Sequence, residues 1–326
     1  MGRMIGSSSI SFDKPPFIIE GASIVGRKEG DGPLGKLFDV VEQDPMLGQE
    51  TWEEAESLLQ KEAIQKLLFK AGMSKEEIRY IFGGDLLGQL IATTFGILEF
   101  EVPFFGLYGA CSTMVEAGNA DNVIAMASSH FASAERQFRF PLAYGNQRPY
   151  AATWTVTGCG AVIISTKKGF AKITGITTGK IVDFGVKDAQ NMGAGMAPAA
   201  ADVIYQHFKD FNSTPADYDK IITGDLGLIG KSILFELLKE KGYDISAVHM
   251  DCGVEMFDAS EQDTHAGGSG CGCSATVLAG YVFKQLKKGA FKKILFIPTG
   301  ALMSPVSFNE GNSVPGIAHC VVIEKN

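Results

Sequence analysis

The chain has 326 residues, of which 45% are hydrophobic and 20% are charged, and its formal net charge is −8. This length is sufficient for one large layered domain or for two domains. The acidic balance argues against a nucleic-acid surface, because no basic stripe is present to release phosphate counterions.

The first half of the chain alternates between apolar strands and amphipathic helices. Its helical segment carries acidic residues early and lysines late, as the helix dipole favours, and a capping signal follows it. In chain order the predicted elements are a strand at 17–22, a helix at 52–71, a capped turn at 74–77, and strands at 80–85, 104–108, 123–126 and 159–164.

The second half repeats this order. Each half has a strand that ends in Gly-Asp directly after its capped turn. The repeated elements are a strand at 171–176, a helix at 198–211, a capped turn at 214–217, a strand at 221–225, a helix from Cys273 to Gly289, and strands at 294–297 and 319–323. We therefore predict an α/β fold made of two duplicated halves, residues 1–170 and 171–326, with sheets covered by helices on both faces.

Cys111 is the strongest candidate for a reactive residue. It lies between small residues in GLYGACSTMV (106–115), where a strand end meets a helix start. Backbone N–H groups at a helix N-terminus favour a thiolate, and this geometry presents a nucleophile for acyl transfer. The alternative is a small buried cysteine that packs as a hydrophobic residue.

The repeat also exposes an irregularity after Cys111. The helix after Cys273 is long, whereas Gly118 and Asn119 come soon after Cys111 and a strand follows at once. The first-half helix is therefore expected to be truncated, or a segment is absent from this sequence. A helix with so little length would give the thiol a weaker dipole effect.

The cysteines and apolar segments indicate the compartment. Six cysteines in a chain of this length do not suggest a disulfide framework, and no CxxC pair indicates a structural zinc. Residues 1–10 lack the apolar core of a signal peptide, and no apolar run reaches the roughly 20 residues that cross a bilayer. We expect a soluble, cytosol-facing protein with no metal site and no cofactor.

Three stretches carry a resemblance to a known superfamily: GACSTMVEA (109–117), residues 128–149 and ASEQDTHAGGSGCGCSA (259–275). The sequence resembles the thiolase superfamily, which includes the ketoacyl synthases, and within it the stage V sporulation protein AD family of spore-forming bacteria. The resemblance implies a fold layered α-β-α-β-α and a homodimer. It also implies a component of the machinery that moves dipicolinic acid, with its calcium, into the developing spore, and a protein that binds this ligand itself.

The same resemblance implies partners and a location. The partners would be other stage V sporulation membrane proteins, and the protein would lie at the spore inner membrane only through them. No loop with the spacing of a calcium site is present in the sequence, so whether calcium enters with the ligand stays open.

The catalytic residues of the superfamily are only partly matched. Cys111 takes the place of the nucleophile, and His265 matches the histidine of the glycine-rich loop, although a lone histidine is often merely structural. Asp225 stands where the enzymes carry histidine or asparagine, and a carboxylate there cannot donate to an oxyanion. The alternative for Asp225 is a helix N-cap before Leu226. Because residues 311–319 offer no second thiol at suitable spacing, thiolytic cleavage is not expected.

Residues 130–154 interleave arginines with aromatic residues. Guanidinium groups bind carboxylates bidentately and flat rings suit a planar heteroaromatic ligand, so a pyridine dicarboxylate fits this pattern. The candidate ligand-binding residues are Arg136, Arg139, Arg148 and His130. The alternative, compatible with the first, is a dimer contact, where arginines and aromatic residues are also enriched.

Three functions follow from these patterns together with the resemblance. The first is a dipicolinic acid-binding protein required for sporulation, without condensing activity. The second is a thioester-dependent acyltransferase or hydrolase that uses Cys111 and His265. The third is a structural adaptor with a vestigial pocket, which would neither bind the ligand nor accept an acyl group.

Overall fold

Strands and helices alternate along residues 2–109 and 121–326, which this computed structural model describes. The strands are β1 (Gly2–Ile5), β2 (Ser9–Phe12), β3 (Phe17–Gly26), β4 (Val40–Glu42), β5 (Tyr80–Gly84), β6 (Phe104–Gly106), β7 (Asn122–Ser129), β8 (Trp154–Thr155), β9 (Gly158–Ser165), β10 (Ala171–Thr177), β11 (Lys220–Thr223), β12 (His249–Asp251), β13 (Gly268–Ser269), β14 (Lys293–Ile297), β15 (Thr299–Ala301), β16 (Gly316–Ala318) and β17 (Cys320–Lys325). The helices are α1 (Arg27–Gly30), α2 (Trp52–Ala71), α3 (Ile91–Ile97), α4 (Phe131–Phe138), α5 (Met192–Phe211), α6 (Gly227–Glu240), α7 (Cys252–Met256), α8 (Cys271–Val277), α9 (Phe283–Lys288) and α10 (Pro305–Asn309). Cys111 and the segment at Gly118 and Asn119 lie outside the described residues.

The strands of the main sheet are arranged symmetrically: counted from either end of the sheet, corresponding strands of the two halves occupy the same positions. Its main path is β12-β11-β14-β17-β10-β3-β9-β7-β5-β6. In each half the outer pairs are parallel (β11 with β12 and β14; β5 with β6 and β7), and the inner pairs are antiparallel. The halves meet where β3 and β10 pair at Ile18 and Ala171. This arrangement confirms the duplicated α/β fold, while the division at residue 170 stays a prediction.

Alternating side chains along the strands produce the layers. On β7, Ile124 and Met126 pack in one cluster with α2, whereas Val123 and Ala125 pack in another cluster that includes α8 and α9. On β14, Leu295 and Ile297 pack with α5 and α6 on the opposite side of the molecule. Both faces of each half-sheet are therefore buried, and the layers run α-β-α-β-α.

The middle layer is the helical segment that begins at α8. A π-helical turn, Leu278–Val282, joins α8 to α9. This segment packs closely on the first-half sheet, because a Cβ on Gly160 would lie 2.3 Å from the backbone of Ala275. Glycine at this strand position therefore sets the distance between the middle layer and the sheet.

The predicted caps are present in both halves. Thr51 and Glu54 form a capping box at the start of α2, and capping boxes also begin the 3₁₀ turns Lys75–Glu77 and Pro215–Asp217. Several predicted boundaries are wrong: β3 extends to Gly26, α8 begins at Cys271 rather than at Cys273, and α5 begins at Met192 rather than at Pro198. The side chain of Asn191 caps this earlier start, and the proline is accommodated inside the helix.

None of the helices in the described ranges combines the length and apolar character needed to cross a bilayer.

Candidate functional site

A cavity of about 300 Å³ lies between the two halves. It is bounded by the segments that follow β5 and β6, by α4, by the start of α5, and by the chain that follows β15. Most of its lining is apolar, with a polar patch from α4, β8 and β13. The lining residues are Leu86, Tyr108, Ala134, Glu135, Phe138, Arg139, Thr155, Met192, Ser269, Gly270, Ala301, Leu302, Met303, Ser304 and Ser307.

Arg139 is the predicted ligand-binding residue that lines this cavity. It stands at the C-cap of α4, and its side chain is only 3% exposed. Its Nε donates to Glu135 Oε2 at 2.6 Å, its Nη2 forms an ion pair with the same carboxylate, and Nη2 also donates to Thr155 Oγ1 at 3.1 Å. The third nitrogen, Nη1, is buried and has no hydrogen-bond partner within the described ranges.

Ser269 contributes a second unsatisfied group to the cavity wall. It lies on the short strand β13, which pairs with β8 beside Thr155. Its hydroxyl is buried and, like Nη1 of Arg139, has no partner among the residues described. Since buried polar groups normally have a partner, water, an ion or a ligand is expected at this wall.

The other predicted ligand residues lie elsewhere. Arg136 is half-exposed and pairs with Glu53. Arg148 is buried, donates to the carbonyl oxygens of Gly145 and Asp263 at 2.7 Å each, and lies 4.7 Å from the centre of the Trp154 ring. Neither arginine is among the described residues that line the cavity.

His130 is the N-cap of α4. Its Nδ1 accepts a hydrogen bond from Ala132 N at 3.2 Å, so Nε2 carries the proton and donates to Pro45 O at 2.8 Å. Burial lowers the pKa of this imidazole, which favours the neutral form that both contacts require. His130 therefore holds the helix that carries Arg139.

His265 is engaged at both ring nitrogens. Nδ1 lies 3.0 Å from Pro149 O, and Nε2 lies 3.0 Å from Asp263 Oδ1. Its backbone φ of 53° is left-handed, and its ring is 5.3 Å from that of Tyr150. Because both nitrogens face oxygen acceptors, neither presents a free lone pair to a thiol in this arrangement.

Asp225 is fully buried after β11 and organises the backbone. Its carboxylate accepts hydrogen bonds from Gly270 N at 2.9 Å and Thr299 Oγ1 at 2.8 Å, so it connects the turn before α8 to β15. The N-cap alternative is wrong, because α6 begins at Gly227 and the N–H groups of Leu226 and Gly227 donate to Asp251.

A buried acidic network lies next to the cavity wall. Glu56 on α2 accepts hydrogen bonds from Ser128 Oγ at 2.8 Å and Ser133 Oγ at 2.9 Å. Asp85 accepts from the backbone and hydroxyl of Thr93. Burial, reinforced by the charge of Asp85, raises the pKa of Glu56 to about 8, so Glu56 is protonated at neutral pH.

The sequence analysis missed the polar partners of Arg139. Glu135 precedes Arg139 by four residues, the spacing at which side chains meet on a helix, and this signal was available in the sequence. Thr155 and the cavity-lining Ser269, which is not a partner of Arg139, carried no such signal, because their proximity depends on the pairing of β8 with β13. Within the described ranges, no group of three or more His, Cys, Asp and Glu side chains is placed to hold a metal ion.

Solved structures with the same architecture define the class of the fold. The acyltransferase ChlB3 is 12% identical with a TM-score of 0.56, and the similarity covers 95% of this chain and 98% of that protein. AbyA1, a tetronic acid condensing enzyme, is 15% identical with a TM-score of 0.56, covering 95% and 99%. At these identities the likeness concerns the fold alone, which is thiolase-like.

The family follows from sequence similarity. The family model for stage V sporulation protein AD matches residues 6–324. Stage V sporulation protein AD of Bacillus subtilis (strain 168) is 43% identical over 333 residues, covering 99% of this chain and 98% of the relative. This chain belongs to the stage V sporulation protein AD family and is a sporulation protein.

Proposed function

We propose that this protein binds dipicolinic acid in the cavity beside Arg139, as a component of the machinery that moves dipicolinic acid with calcium into the developing spore. The observation that carries the proposal is the pair of unsatisfied donors, Arg139 Nη1 and Ser269 Oγ, at one wall of a mostly apolar cavity. Membership of a sporulation family supports the biological setting.

The polar wall suits a carboxylate. Nε and Nη2 of Arg139 are engaged by Glu135, so a ligand carboxylate would accept from Nη1 after a small movement of the wall. The hydroxyl of Ser269 would donate to the same carboxylate. Ser304 and Ser307 line the cavity as well. In the capping box of α10 the Ser307 hydroxyl donates to Ser304 O, and the hydroxyl proton of Ser304 would be donated to a second carboxylate.

The apolar walls suit a single planar ring. Phe138 and Tyr108 supply aromatic surfaces, and Leu86 and Met192 supply aliphatic ones. A volume of about 300 Å³ is at the small end of the range for ligand pockets, which is roughly 300–1,000 Å³. A pyridine with two carboxylates is a ligand of this size and shape.

The charge of the cavity favours a neutral complex. Glu135 and Arg139 are the ionic groups among its described lining residues, and their charges cancel. Dipicolinate carries two negative charges, whereas its one-to-one complex with Ca²⁺ carries none. We therefore expect calcium to strengthen binding, with the metal held by the ligand's own carboxylates.

Calorimetric titration with dipicolinate tests the proposal, with a pyridine monocarboxylate as the control ligand. The double variant Glu135→Gln with Arg139→Met removes the arginine without leaving an unpaired buried carboxylate. We expect it to lose about 1.5–3 kcal/mol for each charge-assisted hydrogen bond removed. Arg136→Ala is the matched control, because this arginine pairs with Glu53 away from the cavity.

Ser269→Ala gives a second, independent measurement. The hydroxyl has no partner among the described residues, so its removal should leave folding unchanged and weaken dipicolinate by about 0.5–1.5 kcal/mol. Equal binding of the mono- and dicarboxylate, or no heat with either, rejects the proposal.

An acyltransferase or hydrolase that uses Cys111 and His265 is the competing function, and burst labelling of Cys111 by an acyl-CoA would establish it. The geometry of His265 disfavours it, because both ring nitrogens face oxygen acceptors. We expect Cys111→Ala to leave dipicolinate binding mostly intact.

We further propose a homodimer that works at the spore inner membrane with other stage V sporulation membrane proteins. The edge strand β6 supports the dimer, because it pairs with β5 on one side and presents exposed Phe105. Sedimentation of the purified protein measures the oligomeric state, and a monomer across the micromolar range contradicts the dimer.

A further inference from the structure

One face of this acidic protein carries a concentration of exposed lysines. We call it the lysine face. It lies at the C-terminal ends of β9, β17 and α9 and at the start of β14, and all six of its lysines are exposed. They are Lys167, Lys168, Lys287, Lys288, Lys292 and Lys325.

Contacts between neighbouring segments make the lysine face continuous. Lys325 N donates to Lys292 O at 2.8 Å, and the Lys325 side chain reaches over Gly289, which directly follows Lys288. Asn326 hydrogen-bonds to Gly169 and Phe170, which adjoin Lys168. Three segments that are distant in sequence therefore place their charges side by side.

Carboxylates neutralise little of this charge. Lys287 pairs with Glu20 at 2.7 Å, whereas the other five lysines form no ion pair with any carboxylate of the described residues. The nearby Glu324 is shared by two additional lysines, Lys172 and Lys293, and Asp219 accepts hydrogen bonds from the backbone N–H groups of Lys292 and Lys293. The lysine face is therefore cationic, although the whole chain has a net charge of −8.

We propose that the lysine face binds an anionic lipid surface directly. Clusters of four to eight basic residues are drawn to the negative potential of anionic bilayers, with a gain of roughly fivefold in binding per lysine near the surface. This inference does not depend on dipicolinate binding. It differs from the expectation that the protein reaches a membrane only through partners.

The location of the face is compatible with use of the cavity. Strand β14 begins at the lysine face with Lys293 and ends at Ile297, and the next strand carries the cavity-lining residue Ala301. The face and the cavity therefore lie toward opposite ends of this strand. A protein bound to lipid by the lysine face would keep the cavity side away from the bilayer.

The composition of the face favours lipid over nucleic acid. It contains lysines without arginines, which supply the fork-shaped contacts to phosphates and bases. The large exposed hydrophobic residues of the described ranges lie outside 165–172, 284–293 and 320–326, so no exposed ring is available there for base stacking. The ammonium groups of these lysines are spread over several strand ends, and this distribution suits the flat surface and diffuse negative potential of an anionic bilayer.

Co-sedimentation with lipid vesicles tests the proposal. The full chain is mixed with vesicles of phosphatidylglycerol, or of phosphatidylcholine as the neutral control, between 20 mM and 500 mM salt. We expect binding to the anionic vesicles only, weakening as salt shortens the screening length. Replacing Lys167, Lys168, Lys288 and Lys292 by glutamine should weaken binding at least tenfold.

A matched variant distinguishes the effect of the lysine face on vesicle binding from the effect of the overall net charge. Replacing Lys187, Lys209, Lys239 and Lys241 by glutamine changes the net charge equally at other exposed sites, and should leave vesicle binding within twofold of the original protein. Dipicolinate titration should be unchanged in both variants, so failure of the lipid proposal and failure of the ligand proposal are separable. Absence of binding to anionic vesicles, an equal loss in both variants, or equal competition by duplex DNA overturns the proposal.

Discussion

The ion pair between Glu135 and Arg139 is the interaction on which the cavity's polar wall depends. Both side chains are buried, at 0% and 3% exposure, and two nitrogens of the guanidinium contact the carboxylate. Thr155 donates to the same carboxylate from its hydroxyl at 2.7 Å. Removing one member therefore leaves the other as an unpaired buried charge.

A double-mutant cycle measures this coupling. We expect Arg139→Met alone to lower the free energy of unfolding by about 3–5 kcal/mol, because Glu135 then stays buried without its cation. Glu135→Gln alone should cost a similar amount, since the arginine loses its counter-charge. The double variant should recover most of the loss, because no buried charge remains.

Urea denaturation gives the free energies of unfolding of the original protein, the two single variants and the double variant. Unfolding is followed by intrinsic fluorescence, with a check that refolding is reversible. We expect a coupling energy of at least about 2 kcal/mol, well above the ~0.5 kcal/mol typical of independent sites. Additive losses would refute the reasoning, because they would mean that the two charges are solvated separately in the folded protein.

Two other predictions follow from buried groups. The pKa of Glu56 is raised by burial to about 8, so ionisation opposes folding and stability should fall as pH rises from about 4.5 toward 8. Glu56→Gln should flatten this dependence, measured as melting temperature between pH 5 and pH 8, because the amide does not ionise; an unchanged pH profile contradicts this. Gly160→Ala should cost about 1–3 kcal/mol, because the new methyl group meets the backbone of Ala275 on α8. Gly88→Ala is its control, since nothing lies within 4 Å of the added carbon, and equal melting temperatures for the two variants would exclude the close packing of α8 as the cause.

The likeness to acyl-transferring enzymes concerns architecture rather than a demonstrated reaction. Asp225 uses its carboxylate to hold Gly270 and Thr299, so this side chain fixes the backbone of the turn before α8 and of β15. His265 is held by Pro149 and Asp263. Both side chains therefore have structural partners within the described residues.

The order and type of the repeated elements could be predicted from local patterns, whereas α3, α4 and several short strands such as β12 and β13 were not predicted. Helix α2 was predicted at its observed bounds, and both capped turns occur where predicted. These features depend on local causes, namely apolar periodicity and hydrogen bonds between residues three apart. The duplication was also visible, because both halves repeat the same local signals in the same order.

Only the tertiary structure separated the three arginines. Arg136, Arg139 and Arg148 occur within one aromatic stretch, yet one pairs at the surface, one lines the cavity and one lies over Trp154. The partners that decide this come from α2, β8 and the loop at Asp263, which are distant in sequence. Local patterns specify which residues are charged or apolar, whereas the partner of a buried charge depends on strand pairing and layer packing across the two halves.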